Sequence, residues 1–154
     1  MRRKRQREVV NLSARITHVR SNYYITRSAI EPPVVDDEAT LEVRAIIEEI
    51  DSDYQQHIGE ELAISLLSAT RYDEPNNSTF DGSITLSGTQ RTASAYLPPQ
   101  PFWPIRGLIS MDDVHVRLHF VPTSPGRGSL VGLYIEDRNM RSNLSGKRMG
   151  AQPG

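Results

Sequence analysis

The sequence predicts a mainly β protein, an antiparallel β-sandwich or partly open barrel with one or two short helices. Three observations carry that expectation. Apolar and polar residues alternate with period two in several runs, most clearly from Val114 to Phe120. Clusters of Pro, Gly, Ser and Asp separate those runs. The chain has 154 residues, 37% of them hydrophobic and none of them cysteine, so a single core must do what disulfides cannot.

Taken in order, Val10, Leu12, Ala14 and Ile16 alternate with Asn11, Ser13 and Arg15, which predicts a strand. Residues 37–58 fit two templates. On a helix Ala39, Val43, Ile46, Ile47, Ile50 and Tyr54 share one face. On a strand Leu41, Val43, Ala45 and Ile47 alternate with Glu42, Arg44 and Glu48, leaving Ile46 and Ile50 on the wrong side. Asp51-Ser52-Asp53 forms a turn cluster, and Leu62, Ile64 and Leu66 resume alternation after Gly59. Strands are the expectation, because the neighbouring strands need partners. An α+β arrangement with an amphipathic helix near 38–57 is the alternative.

Phe80, Gly82, Ile84 and Leu86 alternate with Asp81, Ser83 and Thr85, predicting another strand. From Leu97 to Met111, prolines 98, 99 and 101 precede Phe102, Ile105, Leu108 and Ile109 at helical spacing, so a short proline-initiated helix is expected. Pro104 falls in its first turn, and Gly107 weakens it. Val114–Phe120, the turn formers 122–129 and the run Leu130–Ile135 make a hairpin.

The formal net charge of −1 hides a segregation. Arg2, Arg3, Lys4, Arg5 and Arg7 at one end and Arg138, Arg141, Lys147 and Arg148 at the other give two tails summing to +9 without an acid. Residues 31–61 alone carry a balance of −10. The expected organisation is a basic N-terminal arm over 1–7, one β-rich domain over 8–137 and a flexible basic tail over 138–154. Solubility explains such tails as well as function does. As functional devices they would bind phosphate or dock on an acidic stretch of another subunit, both of which salt weakens.

Residues 8–15 interrupt any apolar stretch with Asn, Ser and Arg, so no secretory leader is read and a cytoplasmic location is expected. The sequons at Asn76, Asn77 and Asn143 then have no use. No run is long enough to span a membrane as a helix.

Catalytic and metal-binding motifs are mostly missing from the sequence. His115 and His119 would share a metal on a helix, but on a strand they sit roughly 13 Å apart and cannot. They form instead a cationic row with Arg117, with Tyr134 and Glu136 expected beside it on the partner strand, able to hold a phosphate or a carboxylate. A merely solvated sheet face is the simpler account. The loop around Gly126-Arg127-Gly128 lacks both the Lys-Ser/Thr pair and the following helix of a phosphate cradle, so it is read as a hairpin tip that exposes Arg127. Asp51/Asp53 and Asp112/Asp113 are compact carboxylate pairs without further metal-ligand company, so no metal and no cofactor is expected. Phe102 and Trp103 could anchor an interface or plug the core. Tyr23 and Tyr24 lie between Arg20 and Arg27, an interleaving that single-stranded nucleic acid exploits and that ordinary strands also show.

The function expected is a non-catalytic binding or assembly module whose partner is a protein or a nucleic acid. Arg2, Arg3, Lys4, Arg5, Arg7, Trp103, His115, Arg117, His119 and Arg127 are its candidate contacts, and a homo-oligomer is compatible with it. The alternatives are a small hydrolase using His115 or His119 with a carboxylate, and a self-assembling structural subunit with a basic arm.

Overall fold

The computed structural model describes residues 8–29, 31–32, 35–69, 80–109 and 112–138. Its elements are strands β1 (Val10–Arg27) and β2 (Val35–Ile50), a 3₁₀ helix at Ser52–His57, strands β3 (Glu61–Ser68), β4 (Asp81–Thr85) and β5 (Arg91–Tyr96), helix α1 (Pro99–Ile109), and strands β6 (Val114–Ser124) and β7 (Arg127–Asp137). The basic arm 1–7 and, apart from Arg138, the C-terminal tail lie outside the described residues.

The strands close into a seven-stranded barrel in the order β1-β2-β3-β5-β4-β7-β6, with β6 returning to β1. The mainly β class therefore holds, but the architecture is neither a sandwich nor an open barrel. A closed barrel leaves no strand edge unpaired along the length of its wall. All of its pairs are antiparallel except β3 with β5, which run parallel because β5 inserts between β3 and β4.

Residues 35–50 are strand, which overturns the helix alternative for 38–57; only Ser52–His57 within that span is helical. The reason is packing. Leu41, Val43, Ala45 and Ile47 all point into the barrel, and Leu12 pairs with Ile50 across a bulge at Ser13/Ala14 that restores Ile50 to the interior. The bulge is what a simple period-two count could not contain.

The interior is filled by side chains. Leu12, Leu41, Ile47, Leu62, Ile64, Leu66, Ile84, Leu118 and Phe120 are almost fully enclosed. Each end has a plug. At one end Tyr54 of the 3₁₀ helix meets Phe120 edge-on, ring centroids 5.8 Å apart. Gln55 Nε2 donates to the Ile50 carbonyl at 2.6 Å, and the Asn11 amide donates to Asp51 Oδ2 at 3.0 Å, fixing that turn. At the other end α1 inserts Phe102 and Ile109. The proline-initiated helix is thus present as expected, with Leu108 exposed rather than buried.

The β6–β7 hairpin turns tightly through Pro125 and Gly126, whose φ of +73° suits glycine alone at low cost. Glycine is also required at position 128, where an added Cβ would come within 2.6 Å of the Phe120 ring.

Candidate functional interface

β1 and β2 are longer than the barrel wall. β6 pairs with β1 only from Val10 to Arg15, and β3 pairs with β2 only from Ala39 to Ile46. Past Arg15 the two strands continue with each other, Ser21 opposite Leu41 and Tyr23 opposite Ala39 while β2 still pairs with β3, and then Ile25 opposite Asp37 and Arg27 opposite Val35 beyond both neighbours. The result is a hairpin that projects past the end of the barrel closed by α1.

Directly opposite residues of antiparallel strands point to the same side. The face carrying Val19, Leu41 and Val43 inside the barrel therefore carries Tyr23, Ile25 and Val35 outside it. Leu41 and Val43 are buried, whereas Tyr23, Ile25 and Val35 are 53%, 63% and 61% exposed. The core-facing pattern thus runs on where the core has stopped.

Helix α1 lies against the root of this face. Trp103, 45% exposed, meets the Tyr23 ring edge-on at 5.9 Å and the Phe102 ring at 5.4 Å. The Arg106 guanidinium stands 5.7 Å from the Trp103 ring centre and reaches the Ser21 hydroxyl at 3.5 Å. Between helix and hairpin is a cleft of about 260 Å³ lined by Ser21, Tyr23, Ala39, Phe102, Trp103 and Arg106. A second cleft of about 400 Å³ follows β1 from Ile16 to Ser21 and is walled by Ile109, Asp112 and Asp113.

The outer face of the hairpin is of different character. Arg20 stands opposite Glu42, Tyr24 opposite Glu38 and Thr26 opposite Asp36. Tyr23 and Tyr24 consequently point to opposite faces, and the strand beside them is acidic. A stacking platform for single-stranded nucleic acid needs rings on one face with cations beside them; Tyr23 with Trp103 and Arg106 meets that description, and Tyr24 does not.

The expected row on β6 and β7 is present: Arg117 pairs with Tyr134, His115 with Glu136 and His119 with Gly132. It is not uniformly solvated. His119 packs on the Tyr134 ring at 4.8 Å, and Arg117 lies 6.0 Å from the same ring centre. His115, expected on a solvent-facing row, is only 3% exposed. Its Nε2 is 3.5 Å from Glu48 Oε2, its Nδ1 is 3.9 Å from Asp113 Oδ1, and Glu48 is held in turn by Arg15 Nε at 3.1 Å. Both histidine contacts are longer than a good hydrogen bond. Neither His115 nor His119 lines either cleft above. A general base needs a substrate within reach, and a sealed imidazole offers none. His115 is thus a buried side chain and not the solvent-facing one expected, because Glu48, held by Arg15, meets it across the bulged β1–β2 seam.

Arg127 is exposed as expected, although it sits in the first ladder position of β7, opposite Thr85 of β4, rather than on the loop tip. Arg2, Arg3, Lys4, Arg5 and Arg7 lie outside the described residues. Among the described residues no group of three or more His, Asp or Glu side chains could hold a metal ion, and no helix is long and apolar enough to cross a membrane.

A further polar cluster lies along β3. His57 Nδ1 and Arg91 Nε both contact Glu60 Oε2, at 3.1 and 2.5 Å, and Arg44 meets Glu61 at 2.6 Å, beside a cleft of about 370 Å³. The His57 hydrogen bond, and then Arg91, hold the Glu60 carboxyl below the ordinary glutamate range. A depressed pKa stabilises the fold above the unfolded-state value of about 4.3 and loses that contribution as pH falls through the folded value. Substituting Arg91→Ala should therefore raise the Glu60 pKa, read by NMR titration of its carboxyl carbon. An unchanged titration would show that Arg91 does not act on Glu60.

The clearest unsatisfied surface is thus the inner face of the projecting hairpin with Trp103, of which sequence reasoning isolated only Trp103 and the two tyrosines. The available signal was the continuation of Val19-x-Ser21-x-Tyr23-x-Ile25 in one phase. Comparison with protein-family models, with curated proteins and with solved structures gives no match for this chain.

Proposed function

We propose that the protein is a non-catalytic assembly module that associates with further copies of itself through the projecting hairpin. The observation that carries this reading is the exposure of Tyr23, Ile25 and Val35 on the face that is buried at Leu41 and Val43, a face they share at the hairpin end with Arg27 and Asp37. Contiguous exposed apolar surface on a folded domain marks an interaction site. Trp and Tyr beside Arg are the residue types that dominate protein interfaces, and Trp103, Tyr23 and Arg106 meet there. The barrel supports the same reading in another way. Its interior is filled at both ends, which leaves the outside to do the binding.

The nucleic acid branch is less well supported, because the acidic strand of the hairpin, with Asp36, Asp37 and Glu38, would repel a phosphate backbone. The hydrolase branch is less well supported as well, because His115 is buried and neither it nor His119 lines the clefts beside β1.

Sedimentation equilibrium tests the reading. The wild type should sediment above its monomer mass of 17.3 kDa, and the triple variant Tyr23→Ser, Ile25→Ser, Trp103→Ser should sediment as a folded monomer. A wild type that stays monomeric at high concentration overturns it.

A further inference from the structure

The hairpin has an edge as well as a face. β1 is paired on both sides only from Val10 to Arg15; from Ile16 to Arg27 it is paired with β2 alone among the described residues. β6 stops there because Asp113, with φ +56°, turns the chain away towards α1. The stretch Ile16 to Arg27 contains no proline and is rich in β-branched and aromatic residues, the composition of a strand that pairs readily. Monomeric proteins usually blunt so long an edge.

Resting on the assembly reading above, we infer that this open edge pairs antiparallel with the same edge of a second copy, continuing the sheet through a two-fold axis. An edge set antiparallel to its own copy has that axis normal to the sheet, so the inner faces of both hairpins lie on one side and their apolar residues form one surface.

The structure also selects a register. Opposite residues must share a face, which centres the pairing on a residue and limits the choices. Centring on Ser21 would bring the second copy's Arg27 opposite Arg15, where His115 of β6 already sits. Centring on Asn22 is the longest pairing that clears β6. It sets Tyr24 opposite the second copy's Arg20, Ile25 opposite Val19, and Arg27 opposite Thr17.

Charge complementarity agrees with that choice. Thr17 lines the 400 Å³ cleft whose far wall holds the exposed Asp112 and Asp113. In this register Arg27 is the charge that the incoming β1 brings to those carboxylates; its His18 and Arg20 lie further along, opposite Thr26 and Tyr24. Each Arg27 would enter the cleft of the other copy, twice per dimer.

Exchanging the charges tests this. In Arg27→Asp and in Asp112→Arg, both symmetric contacts become repulsive, and the dimer dissociation constant of either variant alone should rise about tenfold. In an equimolar mixture of the two variants each contact is attractive again, so heterodimers should form with the wild-type constant. An association that neither single variant weakens, or a mixture no tighter than its components, overturns the edge pairing while leaving the assembly reading in place. A monomeric wild type overturns both. Because the chain has no cysteine, Asn22→Cys gives an independent readout: it should oxidise to a disulfide-linked dimer at the axis, and Thr89→Cys, exposed on the loop between β4 and β5, should not. Absence of the Asn22→Cys dimer in protein that associates overturns the proposed register.

Discussion

Replacing Phe102 with alanine should lower the unfolding free energy by about 3–5 kcal/mol, a large part of the 5–15 kcal/mol of a typical domain. Phe102 is 1% exposed and belongs to the barrel core, although it comes from α1 and not from a strand. Its loss opens a cavity at the mouth of the barrel that the wall strands cannot collapse to fill. Trp103, the single tryptophan, touches the Phe102 ring and serves as the reporter. Urea unfolding followed by tryptophan emission should show a lower midpoint and, before unfolding, emission shifted to the red as the Trp103–Tyr23 contact loosens. A midpoint within error of the wild type would mean that α1 rests on the barrel without closing it.

Gly82→Val should cost about 3 kcal/mol or more, by crowding. An added Cβ at position 82 would stand 2.6 Å from the Ser94 carbonyl oxygen and 2.9 Å from Leu130 Cδ1. The first is backbone of the neighbouring strand β5, so it cannot give way without opening the β4–β5 ladder. β4 is the shortest strand of the wall, and it joins β5 to β7. The contrast is Gly107 in α1, where nothing lies within 4 Å. Gly107→Ala should raise stability by about 1 kcal/mol through helix propensity alone. Thermal melts of the two variants should therefore move in opposite directions. A valine at 82 that melts with the wild type would show that β4 stands further from β5 than the contact implies.

What could be read from the sequence follows from how each element advertises itself. β6 was plain because large apolar residues alternate with polar ones from Val114 to Phe120. β5 was silent, since Arg91-Thr-Ala-Ser-Ala-Tyr96 presents only Ala93 and Ala95 to the core. Small residues fit there because Gly82 and Leu130 press on the same spot, which no local pattern can announce. Strand order was equally out of reach, because β5 pairs on one side with β4, its neighbour in sequence, and on the other in parallel with β3.

The candidate site divides along the same line. Arg127 was legible as an exposed side chain, whereas Trp103 and Tyr23 were legible only as aromatics that fit an interface and a core equally. The apolar face was not, because its identity depends on where β6 and β3 stop, and that is a property of other strands. His115 was legible as a residue and illegible as an environment. Alternation gave its side of the sheet, while Glu48, which meets it, comes from a different strand through a bulge.

Closure of the wall between β1 and β6 has a consequence for how the molecule is made. The first strand of the barrel finds its second neighbour only after about a hundred further residues, so the contact that seals the wall is among the most distant in sequence. Folds dominated by such contacts form slowly, because the loop entropy is spent before the pairing returns it. During synthesis β1, β2 and β3 can zip together as a local meander while residues 114–120 are still unmade. The whole of β1 is then an open edge, including the part that β6 later covers. A nascent chain meeting another at that stage would offer it the same strand that the finished protein presents beyond Arg15, so the order of synthesis and the timing of encounter become part of what determines the assembled form.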